Sequence, residues 1–178
     1  GPAVGDIDND GAVEVVAANK FGAIHVWRAN GTPVAGWPRT VSTQPVSVSI
    51  ADINGDGRKN VVATSFAGDV TVLRSDATNL PGWPRSFGVA NWFSPAAIAD
   101  VDGNGSKEIV VVSRQVPGSL YVLKANGDLL SGWPVVVNSV ATNGSNTWSY
   151  PALGDLDGDG DLEIVVGSTD GIVRALHH

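Results

Sequence analysis

Cysteine is absent from the 178 residues, which removes disulfides, thiol catalysis and thiolate metal sites together. Charged residues are sparse at 16% against 43% hydrophobic, a balance that excludes a disordered tail and a coiled coil. No apolar run approaches the roughly 18 residues that a membrane-spanning helix needs, and no signal-peptide pattern opens the chain. Helical periodicity is missing throughout. What is plentiful is glycine (22 residues) with 10 prolines, the composition of many short strands joined by tight turns.

The net charge of −7 argues against nucleic acid as a partner, but the placement of the acids says more than their total. Fourteen of the eighteen fall in four nine-residue windows, DIDNDGAVE (6–14), DINGDGRKN (52–60), DVDGNGSKE (100–108) and DLDGDGDLE (155–163). These windows hold three basic residues, Arg58, Lys59 and Lys107, so they carry −11 while the rest of the chain carries +4. Negative charge concentrated at regular intervals is costly unless something positive fills each cluster, and a divalent cation is the simplest candidate.

The first aspartates of the windows, Asp6, Asp52, Asp100 and Asp155, are separated by 46, 48 and 55 residues. Gly36-Trp37-Pro38, Gly82-Trp83-Pro84 and Gly132-Trp133-Pro134 keep the same beat. Each unit has a short apolar stretch before the acidic loop and a β-branched run after it (EVVAAN, NVVATS, EIVVVS, EIVVGS). A glycine turn and an alternating stretch follow (AIHVWR, DVTVLR, SLYVLK, IVRALH), and then a last extended segment around Gly-Trp-Pro. Four antiparallel strands repeated at this interval predict an all-β fold, a β-propeller of four-stranded blades, with approximate repeats 1–44, 45–93, 94–147 and 148–178. One blade cannot bury both its faces, so neighbouring blades must cover them, and the Gly-Trp-Pro tryptophans are expected in the gaps between blades. The fourth repeat stops before its Gly-Trp-Pro strand, which leaves fifteen strands where four blades need sixteen. The expectation is part of a larger ring, or protomers of a homo-oligomer that complete one another.

In each window, positions 1, 3, 5 and 9 carry Asp, Asn or Glu, and position 6 is always glycine. Oxygen side chains at alternate positions point to a common centre, as calcium with its six to eight oxygen ligands requires. Position 7 supplies a backbone carbonyl, and its side chain varies freely. The expected ligand sets are Asp6, Asp8, Asp10, Ala12 and Glu14; Asp52, Asn54, Asp56, Arg58 and Asn60; Asp100, Asp102, Asn104, Ser106 and Glu108; and Asp155, Asp157, Asp159, Asp161 and Glu163. The second set has the fewest carboxylates and two cations nearby, so it should bind most weakly. With four Ca2+ ions bound, the net charge would become about +1, from −7 and +8. An EF-hand is excluded: its position 12 needs a glutamate, where this chain has Ala17, Ala63, Val111 and Val166, and its flanks must be helical.

The pattern resembles the FG-GAP/VCBS repeats of integrin alpha-subunit propellers and of many secreted bacterial proteins. Those repeats carry D-x-[DN]-x-[DN]-G-x-x-[DEN] between a blade's first and second strands. The resemblance spans nearly the whole chain in four in-phase copies. No Phe-Gly or Gly-Ala-Pro stands at the namesake positions, and the Gly-Trp-Pro with Glu at position 9 looks more like the secreted bacterial branch. It implies a calcium-binding, non-catalytic module, secreted or at the cell surface, that serves adhesion or binding of a carbohydrate or protein ligand. The alternative is an accessory or catalytic propeller fragment of a secreted hydrolase or polysaccharide lyase, or a self-assembling structural unit.

No catalytic residue is assigned. His25 shares its repeat column with Thr71, Tyr121 and Arg174 and is expected to face solvent. No G-x-S-x-G elbow is present. Aromatic residues in the connections between units, Trp92, Phe93, Trp148 and Tyr150, are candidate ligand-binding positions, where exposed rings can stack on sugars or anchor a protein. The competing role for them is to plug the channel or a cleft between blades.

Overall fold

The computed structural model describes residues 1–88, 93–113, 117–137, 150–168 and 171–178. The β-branched runs form the strands, and each acidic window forms the loop between two of them. The first sheet runs in the order β1 (Ala3–Gly5), β2 (Glu14–Ala18), β3 (Ala23–Arg28) and β4 (Arg39–Thr40). The second is β5 (Val46–Ala51), β6 (Asn60–Ser65), β7 (Asp69–Leu73) and β8 (Arg85–Ser86). The third is β9 (Ala97–Ala99), β10 (Glu108–Val112), β11 (Ser119–Leu123) and β12 (Val135–Val136). The fourth holds three strands, β13 (Ala152–Gly154), β14 (Glu163–Gly167) and β15 (Val173–Leu176). All pairings within the sheets are antiparallel between consecutive strands, so each sheet is a meander of the kind expected for a propeller blade. The first strands of neighbouring blades touch, β1 against β5 and β9 against β13.

The core lies between the blades. One cluster joins Val16, Ile24, Val26 and Trp37 of blade one to Val48, Val61, Ala63 and Leu73 of blade two. A second joins Val62, Val70, Val72 and Trp83 to Ile109, Val111, Tyr121 and Leu123 of blade three. A third joins Val110, Val112, Val122 and Trp133 to Ile164 and Val166 of blade four. The alternation of strand side chains explains the arrangement: Val61 faces backwards to blade one and Val62 forwards to blade three. In the central blades both faces are covered, so every residue of β6 and β10 is buried. In blade one, β2 alternates buried with half-buried residues, and Val4 on the backward face is exposed. On blade four, Val173 is likewise exposed.

The tryptophans of the Gly-Trp-Pro segments fill the gaps between blades, as anticipated. Trp37, Trp83 and Trp133 are all buried. The Trp37 indole N–H donates to the Ser75 carbonyl of blade two at 2.9 Å, and that of Trp83 to the Ala125 carbonyl of blade three at 2.9 Å. Trp37 and Trp83 therefore each contribute apolar area and one directed bond across a blade boundary. Gly82 is required there: a Cβ at that position would lie 2.1 Å from the Asn126 carbonyl oxygen.

Two expectations need correction. The column of His25 is not a solvent column, because Thr71 and Tyr121 are buried against the preceding blade. His25 stays half-buried, stacked on Trp27 with ring centroids 5.3 Å apart, because no described residue packs over the backward face of blade one. Phe93 takes the competing role, a plug between blades, and not that of a ligand platform: it is 1% exposed and packs edge-on against Phe87 and Tyr121, with centroids 5.6 and 5.4 Å away. Its backbone also bridges Ser113, so the residue closes the seam between blades two and three. Tyr150 is exposed, whereas Trp92 and Trp148 lie outside the described residues.

Candidate metal-binding loops

The four acidic loops join the first and second strands of their blades. They share one pattern of hydrogen bonds. The aspartate at position 1 accepts backbone N–H groups with both oxygens: Asp6 from Asn9 and Gly11, Asp52 from Gly55 and Gly57, Asp100 from Asn104 and Gly105, Asp155 from Gly158 and Gly160. The side chain at position 5 accepts the N–H of position 7 in every loop: Asp10 from Ala12, Asp56 from Arg58, Asn104 from Ser106, Asp159 from Asp161. Position 9 is the first residue of the second strand, and one of its oxygens accepts the N–H of position 2: Glu14 from Ile7, Asn60 from Ile53, Glu108 from Val101, Glu163 from Leu156. The chain reverses through left-handed residues at positions 4 and 6. Position 6 is Gly11, Gly57, Gly105 or Gly160; position 4 is Asn9, Gly55, Gly103 or Gly158, residue types for which positive φ costs least.

These bonds leave carboxylate oxygens in surplus. Glu14 is fully buried and its Oε1 has no hydrogen-bond partner; Asp8 Oδ1 and Glu163 Oε1 are also buried without one. Ligand oxygens of Asp6, Asp8 and Asp10 lie within 4.8 Å of one another, as do those of Asp100, Asp102 and Glu108, and of Asp155, Asp157 and Glu163. Loop two has only Asp52 and Asp56 as carboxylates, and the Asn54 amide donates to Asp56 at 2.8 Å. Burial pushes the carboxyl of Glu14 above its ordinary range; the Ile7 N–H opposes this, and the charges of Asp8, Asp10 and Asp6 add to it. Glu108 is pushed up in the same way, by burial first and then by Asp102 and Asp100 against the Val101 N–H. Asp10 and Asp56, by contrast, are held low, Asp10 by the Ala12 N–H and Arg28, Asp56 by the Asn54 amide and the Arg58 N–H. The donors are hard oxygens at short mutual distance, which fits a hard dication such as calcium.

A further set of residues at the loops escaped the sequence reading. Arg28, which ends β3 directly opposite Glu14, reaches Asp10 at 3.0 Å and Asp8 at 3.5 Å. Its counterparts, one register step past Val61↔Leu73, Ile109↔Leu123 and Ile164↔Leu176, are Arg74, Lys124 and His177. Arg74 lines a crevice of about 200 Å³ with Asp56, Arg58, Lys59 and Asn60. His177 Nε2 stands 3.5 Å from both Asp159 Oδ2 and Glu163 Oε1. Desolvation lowers the His177 imidazole, but the bond to Asp159 and the charges around it raise it on balance. The repeated basic residue closing each third strand was the available signal.

The model of the FG-GAP-like repeat matches residues 6–63, 52–111 and 100–166. The chain belongs to the FG-GAP-like repeat family. Each match runs from one acidic loop through the next into the second strand of the following blade, so consecutive matches overlap at the shared loop. No curated protein matches the chain significantly. Among solved structures, the computationally designed Ika4 protein resembles it with TM-score 0.62 at 19% identity, over 99% of this chain and 88% of that one. The designed Ika8 protein gives TM-score 0.57 at 20% identity, over 99% of this chain and 45% of that one. BBS1N, solved in complex with ARL6DN, gives TM-score 0.60 at 15% identity, over 98% of this chain and 52% of that one. At such identities these likenesses establish the fold alone. The chain spans about half the length of the latter two. FG-GAP-like propellers are in general a non-catalytic fold of the binding and adhesion type. Among the described residues no helix is long and apolar enough to cross a membrane.

Proposed function

We propose that this chain is a calcium-stiffened binding module that works outside the cell and recognises a carbohydrate or protein ligand without catalysing a reaction on it. The observation that carries the reading is the surplus of carboxylate in the loops, above all the buried, unpartnered Oε1 of Glu14. Turn formation does not account for that oxygen, because the turn uses Oε2. Calcium would be held by the oxygens of positions 1, 3, 5 and 9 with the position 7 carbonyl, and it would neutralise them and tie each loop to its second strand. Affinities in the range of roughly 10⁻⁴–10⁻³ M, usual for extracellular modules, would keep such loops filled outside a cell and largely empty in a cytosol. Among the candidate ligand-binding aromatics in the described residues, Tyr150 is exposed beside β13 and Phe93 is not available.

Calorimetric titration of the chelator-treated protein with calcium tests the reading. Up to four binding events are expected, with loops one, three and four filling first and loop two last. Absence of binding up to millimolar calcium would overturn it.

A further inference from the structure

The residue that closes the third strand beside the acidic loop is Arg28 in blade one, Arg74 in blade two and Lys124 in blade three, all basic side chains. Blade four has His177 at that place, a side chain with a lone pair to give. Arg28 occupies the loop it faces, binding Asp10 at 3.0 Å and Asp8 at 3.5 Å. An arginine there is a counterion and can never be a ligand. A neutral imidazole in the same position is a ligand for borderline dications of the zinc class, which favour nitrogen, whereas calcium takes oxygen.

We propose that loop four is a mixed nitrogen–oxygen site for a zinc-class dication, held by His177 Nε2, Glu163 Oε1 and Asp159 Oδ2. It rests on the reading of the loops as cation sites and departs from it in the metal that loop four prefers. Two observations beyond the acidic cluster carry it. Glu163 is 93% buried (7% exposed), and its Oε1 has no hydrogen-bond partner while Oε2 is committed to the Leu156 N–H. His177 Nε2 stands 3.5 Å from that orphan oxygen and 3.5 Å from Asp159 Oδ2, and the ligand atoms of the three residues lie within 4.8 Å of one another. Bonds of about 2.1 Å in a tetrahedron place ligand atoms about 3.4 Å apart, close to the 3.5 Å that separates His177 Nε2 from each of the two carboxylate oxygens. Asp155 and Asp157, which also share a cluster with Glu163, stand ready as a fourth oxygen donor. His178 belongs to a second grouping, with Asp161 and His177, and is not needed for the site.

Titration of the full chain with zinc alone, followed by calorimetry, tests the assignment in the wild type and in three variants. The wild type should show one tight class of about one equivalent. His177→Ala should weaken it by at least ~10-fold, since even loss of an outer-shell partner of a metal ligand costs about that much. His177→Arg should abolish it while keeping a positive partner for Asp159 and Glu163, so that loss of an ion pair alone cannot explain the result. His178→Ala should bind as the wild type does. The inference is overturned if the wild type has no tight class, if His177→Arg binds zinc unchanged, or if His178→Ala loses as much as His177→Ala. Calcium melts on the same samples separate the two readings. Stabilisation by calcium without tight zinc binding sinks this inference alone, and failure of both metals sinks the cation reading of the loops as well.

Discussion

Loops two and four turn the backbone in the same way but differ widely in charge, the first window being neutral and the second −5. Loop two has two carboxylates, Asp52 and Asp56, and is crowded by Arg58, Lys59 and Arg74; loop four has five, Asp155, Asp157, Asp159, Asp161 and Glu163, with His177 at its edge. Yet Asn60 accepts the Ile53 N–H at 3.0 Å as Glu163 accepts that of Leu156 at 2.8 Å, and the bonds at positions 1 and 5 are the same. The turn is therefore built by side-chain oxygens and left-handed residues, and it does not need the charge. An amide at position 9 makes the bond without the desolvation that pushes the Glu14 and Glu108 carboxyls up. Three of the four loops nonetheless carry glutamate there. The charge must answer to something other than the turn, and the dication proposed for these loops would supply that answer.

The contrast can be broken most severely at position 1, where the two loops should behave alike. Asp52→Ala and Asp155→Ala each remove the acceptor for two backbone N–H groups, as loss of a helix cap does, and each should cost about 1–2 kcal/mol in excess chelator. In calcium the two should part, with Asp155→Ala losing the metal's contribution too. Chemical denaturation in both conditions checks this. Equal losses in calcium would mean that loop four holds no metal.

A smaller effect follows from pH in the chelated protein. Glu14 and Glu108 are raised in the folded state, so the folded chain binds their protons more tightly than the unfolded chain. Their contribution is then most favourable below the unfolded glutamate value near 4.5 and is lost as pH rises from there through the folded values. Asp10, Asp56, Asp76 and Asp159, all held low, act with the opposite sign below about 3.8. Stability without metal should peak in the acid range and decline toward neutrality, and saturating calcium should remove the decline. Melting points across pH 4 to 7 in both conditions read it directly.

The sequence was legible where one residue decides one local event. The four Asp-x-[Asp/Asn] windows, glycine at position 6, the β-branched runs and the Gly-Trp-Pro tryptophans all stand where the repeat put them. Contacts that depend on register were not legible. Arg28 meets Asp10 across 18 residues only because β2 and β3 pair so that Glu14 faces Arg28. His177 similarly meets Glu163 through the pairing of β14 with β15. For Phe93 the sequence leaves a ligand platform and a plug between blades both open, and the packing decides for the plug, because the gap between blades two and three has room for a ring beside Phe87 and Tyr121.

On the proposed reading, the position 9 carboxylate serves a cation and burdens the turn. Glu14→Gln tests it most directly, because glutamine keeps an oxygen for the Ile7 N–H and removes only the charge, as Asn60 already does in blade two. Thermal melts of wild type and variant should be compared in excess chelator and in calcium at about 100 times the dissociation constant. The variant should equal or exceed the wild type in chelator. In calcium it should fall short by up to about 2.7 kcal/mol, the contribution of one filled site. For a domain of this size that is roughly 5–10 °C. A variant that melts lower by the same amount in both conditions would contradict the account, since the glutamate would then be holding the turn and not an ion.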